Sequence, residues 1–224
     1  MEIFGGIGAI IAALFDNDAW MLGDAIRQNA SAAWLLGLII TTLGGLGVMA
    51  LYRAVPLLER HLEPAVMVTA YLAIGYIIFA GVIERFLLDG QEPWSTTIPP
   101  FLFLIMTWVG CSYNVKLRTH LAFAEFRTAM PPAGQIACLI LDAILWLGFA
   151  WIVIVTTTQE VIAAAANFRI MLGTDNVMQW WFLIAVPIAF ILLSGRVFEN
   201  LFRDLGNYRR GDTLIEQAVI GGDT

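Results

Sequence analysis

The sequence predicts an all-α integral membrane protein with five transmembrane helices, and three observations carry that prediction. Of its 224 residues, 59% are hydrophobic and only 13% charged, where soluble domains carry about a quarter charged, and the mean hydropathy is +0.78. The charged residues are spaced so that five intervals reach the length of about 20 apolar residues that crosses a hydrocarbon core as helix. Prolines stand where such helices open, because the first turn of a helix loses nothing when an N–H is missing.

In chain order, Ile3 to Phe15 is an uncharged run of 13 residues between Glu2 and Asp16. It is too short to span and lacks the basic start of a secretory signal, so it reads as an interfacial or docking helix. The first span is Gln28 to Tyr52, 25 residues between Arg27 and Arg53. Pro64 to Ile83 and Pro93 to Val115 supply the second and third. Thr128 to Gln159, interrupted once by Asp142, is the fourth, and Asn176 to Gly195, ended by Arg196, is the fifth. Pro64, the pair Pro99 and Pro100, and the pair Pro131 and Pro132 are expected to open their spans, whereas Pro187 lies mid-span and should kink its helix. Trp34, Trp94, Trp180 and Trp181 fall near span ends, where amphipathic rings sit at headgroup level. Gly211 to Thr224 reads as a mobile tail.

Lys and Arg in short loops set orientation. Nine of them (Arg53, Arg60, Lys116, Arg118, Arg127, Arg196, Arg203, Arg209 and Arg210) fall on one side of this arrangement, against Arg27, Arg85 and Arg169 on the other. The C-terminus is therefore expected in the cytoplasm and the N-terminus outside. Nine acidic residues join the three basic ones outside and leave that face at −6. Such a face serves either to steer a basic partner or simply for solvation.

Little in the sequence points to chemistry. A formal charge of −6 excludes a phosphate-backbone partner, so nucleic acid is set aside. Cys111 and Cys138 have no ligand spacing and read as small buried hydrophobes. His61 and His120 both fall in loops, which argues against a bis-histidine haem and against any cofactor. No metal, phosphate-loop or nucleophile motif occurs. Asp142 is the one intramembrane carboxylate, and such a residue is a functional candidate by default. It lies near the midplane if its helix opens at Pro131, or at the inner interface if the helix overhangs; a structural hydrogen bond fits it better than an ion relay. Gly37, Thr41 and Gly45, with Gly44 and Gly47 beside them, make a small-residue stripe that lets another helix approach closely. Arg196, Glu199 and Arg203 at helical spacing read as a solvated or headgroup-facing surface.

Trp108 to Phe126, WVGCSYNVKLRTHLAFAEF, resembles the small membrane subunit of tripartite ATP-independent periplasmic (TRAP) transporters, the DctQ-like family. Gly110, Arg118, His120 and Pro131 match its run of a small-residue helix end, Arg-to-His and proline, with the Arg-to-His spacing one residue tighter. Val82 to Trp94 is similar to the end of the family's first helix, and Trp180, Pro187 and Arg196 to its last. The acids usual after the outer Trp and after the His are replaced by Thr96 or Thr97 and by Ala124, with Glu125 one step late.

The resemblance implies a subunit of the bacterial inner membrane with no catalytic centre. It implies partnership with a large DctM-like membrane subunit holding the substrate and sodium sites, and with a periplasmic solute-binding protein delivering an organic acid, a carboxylate or sulfonate. Four spans within residues 63–205 are then family-type, residues 28–62 add an extra N-terminal span, residues 1–27 form an outer segment and residues 206–224 a cytoplasmic tail. The first and last spans, through Gly37, Thr41, Gly45 and Pro187, are the expected contact helices. Arg118 and His120 are expected polar contacts at the inner interface. The alternative is a membrane anchor of a redox enzyme, binding quinone or haem; an autonomous channel or carrier is disfavoured by the single intramembrane ionisable group.

Overall fold

The apolar run at the N-terminus is a helix, α1 (Glu2–Phe15). Asp18 caps a second, α2 (Ala19–Gln28), its Oδ1 accepting from the backbone N–H of Trp20 at 2.8 Å, which meets one of the donors a helix start leaves open. Five helices long and apolar enough to cross a membrane follow: α3 (Ala30–Ala54), α4 (Pro56–Leu87), α5 (Trp94–Leu117), α6 (Pro132–Ala166) and α7 (Trp180–Arg210). The computed structural model describes residues 2–88, 90, 92–118 and 127–214; His120 lies outside them, as do the last ten residues of the expected tail.

Two span limits differ from the expectation. α4 opens at Pro56, where the preceding Val55 is extended as a residue before proline prefers, so Pro64 lies within the helix and the expected border between residues 62 and 63 runs through α4. α7 extends beyond the apolar span that ends at Gly195, as the helical spacing of Arg196, Glu199 and Arg203 implies, but runs on to Arg210, past the expected start of the tail at 206. Pro187 therefore sits in its first third rather than mid-span. The helix is interrupted at Ile184, one turn before the proline that cannot donate to Leu183.

Pro132 does open α6, with Pro131 as its cap. Pro99 and Pro100 sit inside the second turn of α5, where the hydroxyls of Thr96 and Thr97 donate to the Pro93 carbonyl. α6 holds 35 residues, about 52 Å at 1.5 Å per residue, so it overhangs a hydrocarbon core of about 30 Å.

α7 is the centre of the bundle, with 50% of its most apolar window buried, against 11% for α4. Phe190, Leu193 and Val197 of α7 pack with Val115 of α5 and Ala143, Ala150 and Ile154 of α6. The Trp108 and Phe149 rings close on Phe190 with centroids at 5.1 and 5.6 Å. α3 lies in the groove between α6 and α7. Trp151 of α6 donates from Nε1 to the Trp34 carbonyl at 2.8 Å. α1, α2 and the start of α3 pack on one another through Ile10, Ile26 and Ala32, with Ile162 of α6 against them.

The Gly37, Thr41, Gly45 stripe is spent inside the chain. A side chain at Gly37 would run into Val155 and Trp151 of α6, and one at Gly45 into Ser194 and Phe198 of α7. Thr41 between them is 1% exposed and donates to the Gly37 carbonyl. Residues four apart drift by about 40° per step on an ideal helix. The turn from Ile40 to Gly44 is a wider π turn, which absorbs one residue and rotates the stripe back toward α7. Pro187 is also buried, so none of these four residues forms an outward contact face, and the expected docking through them is corrected accordingly.

Candidate functional site

The strongest concentration of charge lies at the end of the bundle that the loop charges assign to the cytoplasm. Helical spacing aligns its members in pairs: Glu59 and Glu63 four apart on α4, Ser112 and Lys116 four apart on α5, Arg196 and Glu199 three apart on α7. Tyr52 comes from the last turn of α3. Arg196 and Glu63 are both 0% exposed.

Every donor of the Arg196 guanidinium is used. Nε and Nη2 bridge the two Glu63 oxygens at 2.9 and 2.6 Å, the bidentate geometry that suits arginine and carboxylate. Nη1 donates to Glu59 Oε1 at 3.0 Å and Glu199 Oε2 at 2.9 Å, and Nη2 donates again to the Glu59 carbonyl at 2.8 Å. The Tyr52 ring lies 4.1 Å from the guanidinium carbon, a cation–π distance. Ser112 Oγ donates to Glu63 Oε1 at 3.0 Å, and Lys116 Nζ meets Glu59 Oε1 at 2.5 Å. Three carboxylates and two cations therefore tie α3, α4, α5 and α7 together. Close approach of the helices makes this possible, since Gly195, next to Arg196, packs directly on Val48 and the Gly45 carbonyl.

These residues were not among the sequence candidates, and Arg196 and Glu199 are corrected here from a solvated surface to a buried junction. A signal was present. Glu63 and Arg196 are opposite charges, each flush with an apolar run, on the same side of the membrane, and a charge taken out of water needs a partner.

A second layer lies beside the first. Arg118 closes α5 in a left-handed conformation (φ 57°) and donates to Asp204 Oδ1 at 2.6 Å; Asp204 is buried. Asn200 donates to the Val115 carbonyl at 2.8 Å, the same oxygen that accepts from the Arg118 backbone N–H at 3.3 Å where α5 ends. Asp142 is paired with Arg127 through both oxygens, Nη2 to Oδ1 at 3.0 Å. This hydrogen bond pushes the Arg127 guanidinium above its already high ordinary pKa. Asp142 lies at the eleventh residue of a helix that overhangs the bilayer, and its partner is a loop arginine. Both side chains are about one quarter exposed (22% and 26%). Asp142→Asn is therefore expected to lower stability by about 1 kcal/mol or less, as a partly solvated pair contributes; thermal melting in detergent reads it. Between Arg118, Asp142, Trp146 and Asp204 remains a cavity of about 40 Å³, the size of a water molecule.

What this arrangement can do is brace. The donors and acceptors around Arg196 point at one another rather than into a space that could hold solute. A family model for tripartite ATP-independent periplasmic transporters, DctQ component, matches residues 74–207. The chain belongs to this family. It is a multi-pass protein of the bacterial inner membrane and a permease component of a transporter, not a typical enzyme, and the redox-anchor alternative is not favoured. The chain is also similar to the sialic acid TRAP transporter small permease protein SiaQ of Vibrio cholerae serotype O1, at 23% identity over 163 residues, which covers 71% of this chain and 92% of that protein. The family match takes in α5, α6, most of α7 and the C-terminal part of α4 from residue 74 onward, but omits α1, α2 and α3. Ser112, Lys116, Arg196 and Glu199 thus belong to the matched part, while Tyr52, Glu59 and Glu63 lie before it.

Proposed function

We propose that this chain is the scaffolding small permease of a sodium-driven TRAP transporter for an organic acid, with its N-terminus outside and its C-terminus in the cytoplasm. It pairs with a large DctM-like membrane subunit that carries substrate and sodium, and a periplasmic solute-binding protein delivers the solute. Membership in the DctQ component family of tripartite transporters supports these partners, and the sialic acid named for the Vibrio protein, a carboxylate, supports the solute class. The observation that carries the scaffolding role is the saturated Arg196 guanidinium, whose five donors all end on the chain's own acceptors. Transporters hold substrate with converging polar groups left open at the midplane, and a donor set already satisfied offers none. Arg118 and His120 are proposed as polar contacts that order the same end.

Reconstitution tests this reading. Vesicles holding this chain with the large subunit, supplied with binding protein, are expected to accumulate a carboxylate or sulfonate only under an inward sodium gradient. Vesicles holding this chain alone are expected to accumulate none. Uptake by this chain alone, or uptake indifferent to sodium, contradicts it.

A further inference from the structure

α4 carries a polar problem that its own chain does not solve. Tyr71 and Tyr76 are 66% and 72% exposed, and among the described residues neither hydroxyl finds a hydrogen-bond partner. The charge-free part of α4 runs from Pro64 to Ile83, so both residues lie within about 4 Å of its centre along the axis. The bilayer half-thickness is about 15 Å, and a tyrosine tip reaches about 7 Å from its backbone. Each hydroxyl therefore stops about 4 Å short of the headgroups. A hydroxyl left unpaired in hydrocarbon costs several kcal/mol, and tyrosines facing lipid belong at the interfaces, not the midplane.

Other exposed polar groups in the spans escape this cost. Thr42 and Thr156 donate back to their own helix carbonyls at 2.9 Å, which a tyrosine is too long to do. The outward face of α6 is aliphatic, with Leu141, Ile144, Leu145 and Ile152 exposed, and suits lipid as it stands. At about 100° per residue, Val68, Leu72, Gly75 and Phe79 of α4 fall on one stripe about 60° wide, with Tyr71 on one flank and Tyr76 on the other. A Cβ at Gly75 would meet nothing within 4 Å, so the stripe holds an open notch between large side chains. With roughly 100–200 Å² for each exposed side chain, the face from Val68 to Phe86 offers on the order of 800 Å², one partner's share of a standard interface.

We propose that this face of α4 is the seam for the large membrane subunit, a transmembrane helix of which fills the notch at Gly75 and offers acceptors to the Tyr71 and Tyr76 hydroxyls. The inference rests on the small-permease reading above. Only a protein embedded in the membrane can meet hydroxyls at that depth, and a tripartite transporter supplies one.

Co-expression of the full chain with its cognate large subunit, followed by affinity purification in mild detergent, tests the seam. Gly75→Trp is expected to reduce the retained large subunit at least tenfold. Gly148→Trp, on the aliphatic face of α6 and equally free of neighbours, is expected to change nothing. The double variant Tyr71→Phe with Tyr76→Phe removes two hydrogen bonds without adding volume. At about 0.6 kcal/mol for each intramembrane bond, it is expected to weaken retention about eightfold. A benzophenone amino acid at position 79 should give a photo-adduct with the large subunit. Full retention by both variants, or adducts confined to lipid or to a second copy of this chain, overturns the seam while leaving the small-permease reading intact. Failure of the unaltered chain to retain any large subunit refutes that reading instead, and the seam with it.

Discussion

Arg196→Leu is expected to cost about 3–5 kcal/mol of folding stability, because breaking a buried ion pair strands the partner charge. Glu63 would be left wholly buried with only the Ser112 and Tyr52 hydroxyls, and Glu59 and Glu199 would face it with Lys116 as their one cation. Glu63→Leu should cost a similar amount by leaving the guanidinium without its bidentate acceptor. The informative measurement is the double variant. With both charges gone, Glu59 keeps Lys116 and the partly exposed Glu199 can turn to solvent, so the double change should cost at least about 2 kcal/mol less than the two single changes together. Arg196→Lys should fall between, since an ammonium has three donors for the five acceptor contacts that a planar fork fills. Thermal unfolding of the purified chain in detergent reads all four, and a Leu variant as stable as the unaltered chain would mean that the junction is not closed.

The same two residues explain how far the sequence could be read. Counting uncharged intervals finds five spans because a lone charge in hydrocarbon is costly, and five helices long and apolar enough to cross are present among the described residues. The rule treats every charge as a border, so it ends the second span at Glu63 and the fifth at Arg196. These two charges neutralise one another, and both helices run straight through them. The prolines divide on the same line: Pro132 opens α6 as its missing N–H allows, while Pro64, one residue beyond the buried Glu63, lies inside a helix that Pro56 had already opened. α2 was legible but unread, in Asp18 standing before an amphipathic stretch. The ion pair of Asp142 needed a loop residue, Arg127, that counting by sides used only for orientation. The stripe of glycines announced close packing, and only the coordinates say that its partners are α6 and α7.

That packing sets the last expectation. A Cβ added at Gly195 would lie 2.6 Å from Val48 Cγ1, 2.9 Å from Val48 Cβ and 3.2 Å from the Gly45 carbonyl oxygen, and one added at Gly45 would lie 2.9 Å from Ser194 Cβ and 3.0 Å from the Phe198 ring. A rigid valine and a backbone oxygen leave nothing to give, so Gly195→Leu should push α3 off α7 at a cost of about 3 kcal/mol, the upper part of the usual range for overpacking. Gly45→Leu should cost less, because the Phe198 ring can swing. Gly47→Leu is the control: it stands two residues along the same helix with nothing within 4 Å and should be silent. α3 lies outside the family match, and Tyr52 at its end is the lid on Arg196, so undocking should be local rather than a collapse of the remaining four spans. Trypsin distinguishes the two, since Arg53 and Arg60 flank the single-residue joint at Val55 and are exposed. Faster cleavage there, with the Glu63–Arg196 part of the bundle still resistant, is the expected pattern for Gly195→Leu; cleavage throughout the chain would show that α3 is integral to the four-helix unit rather than clipped onto it.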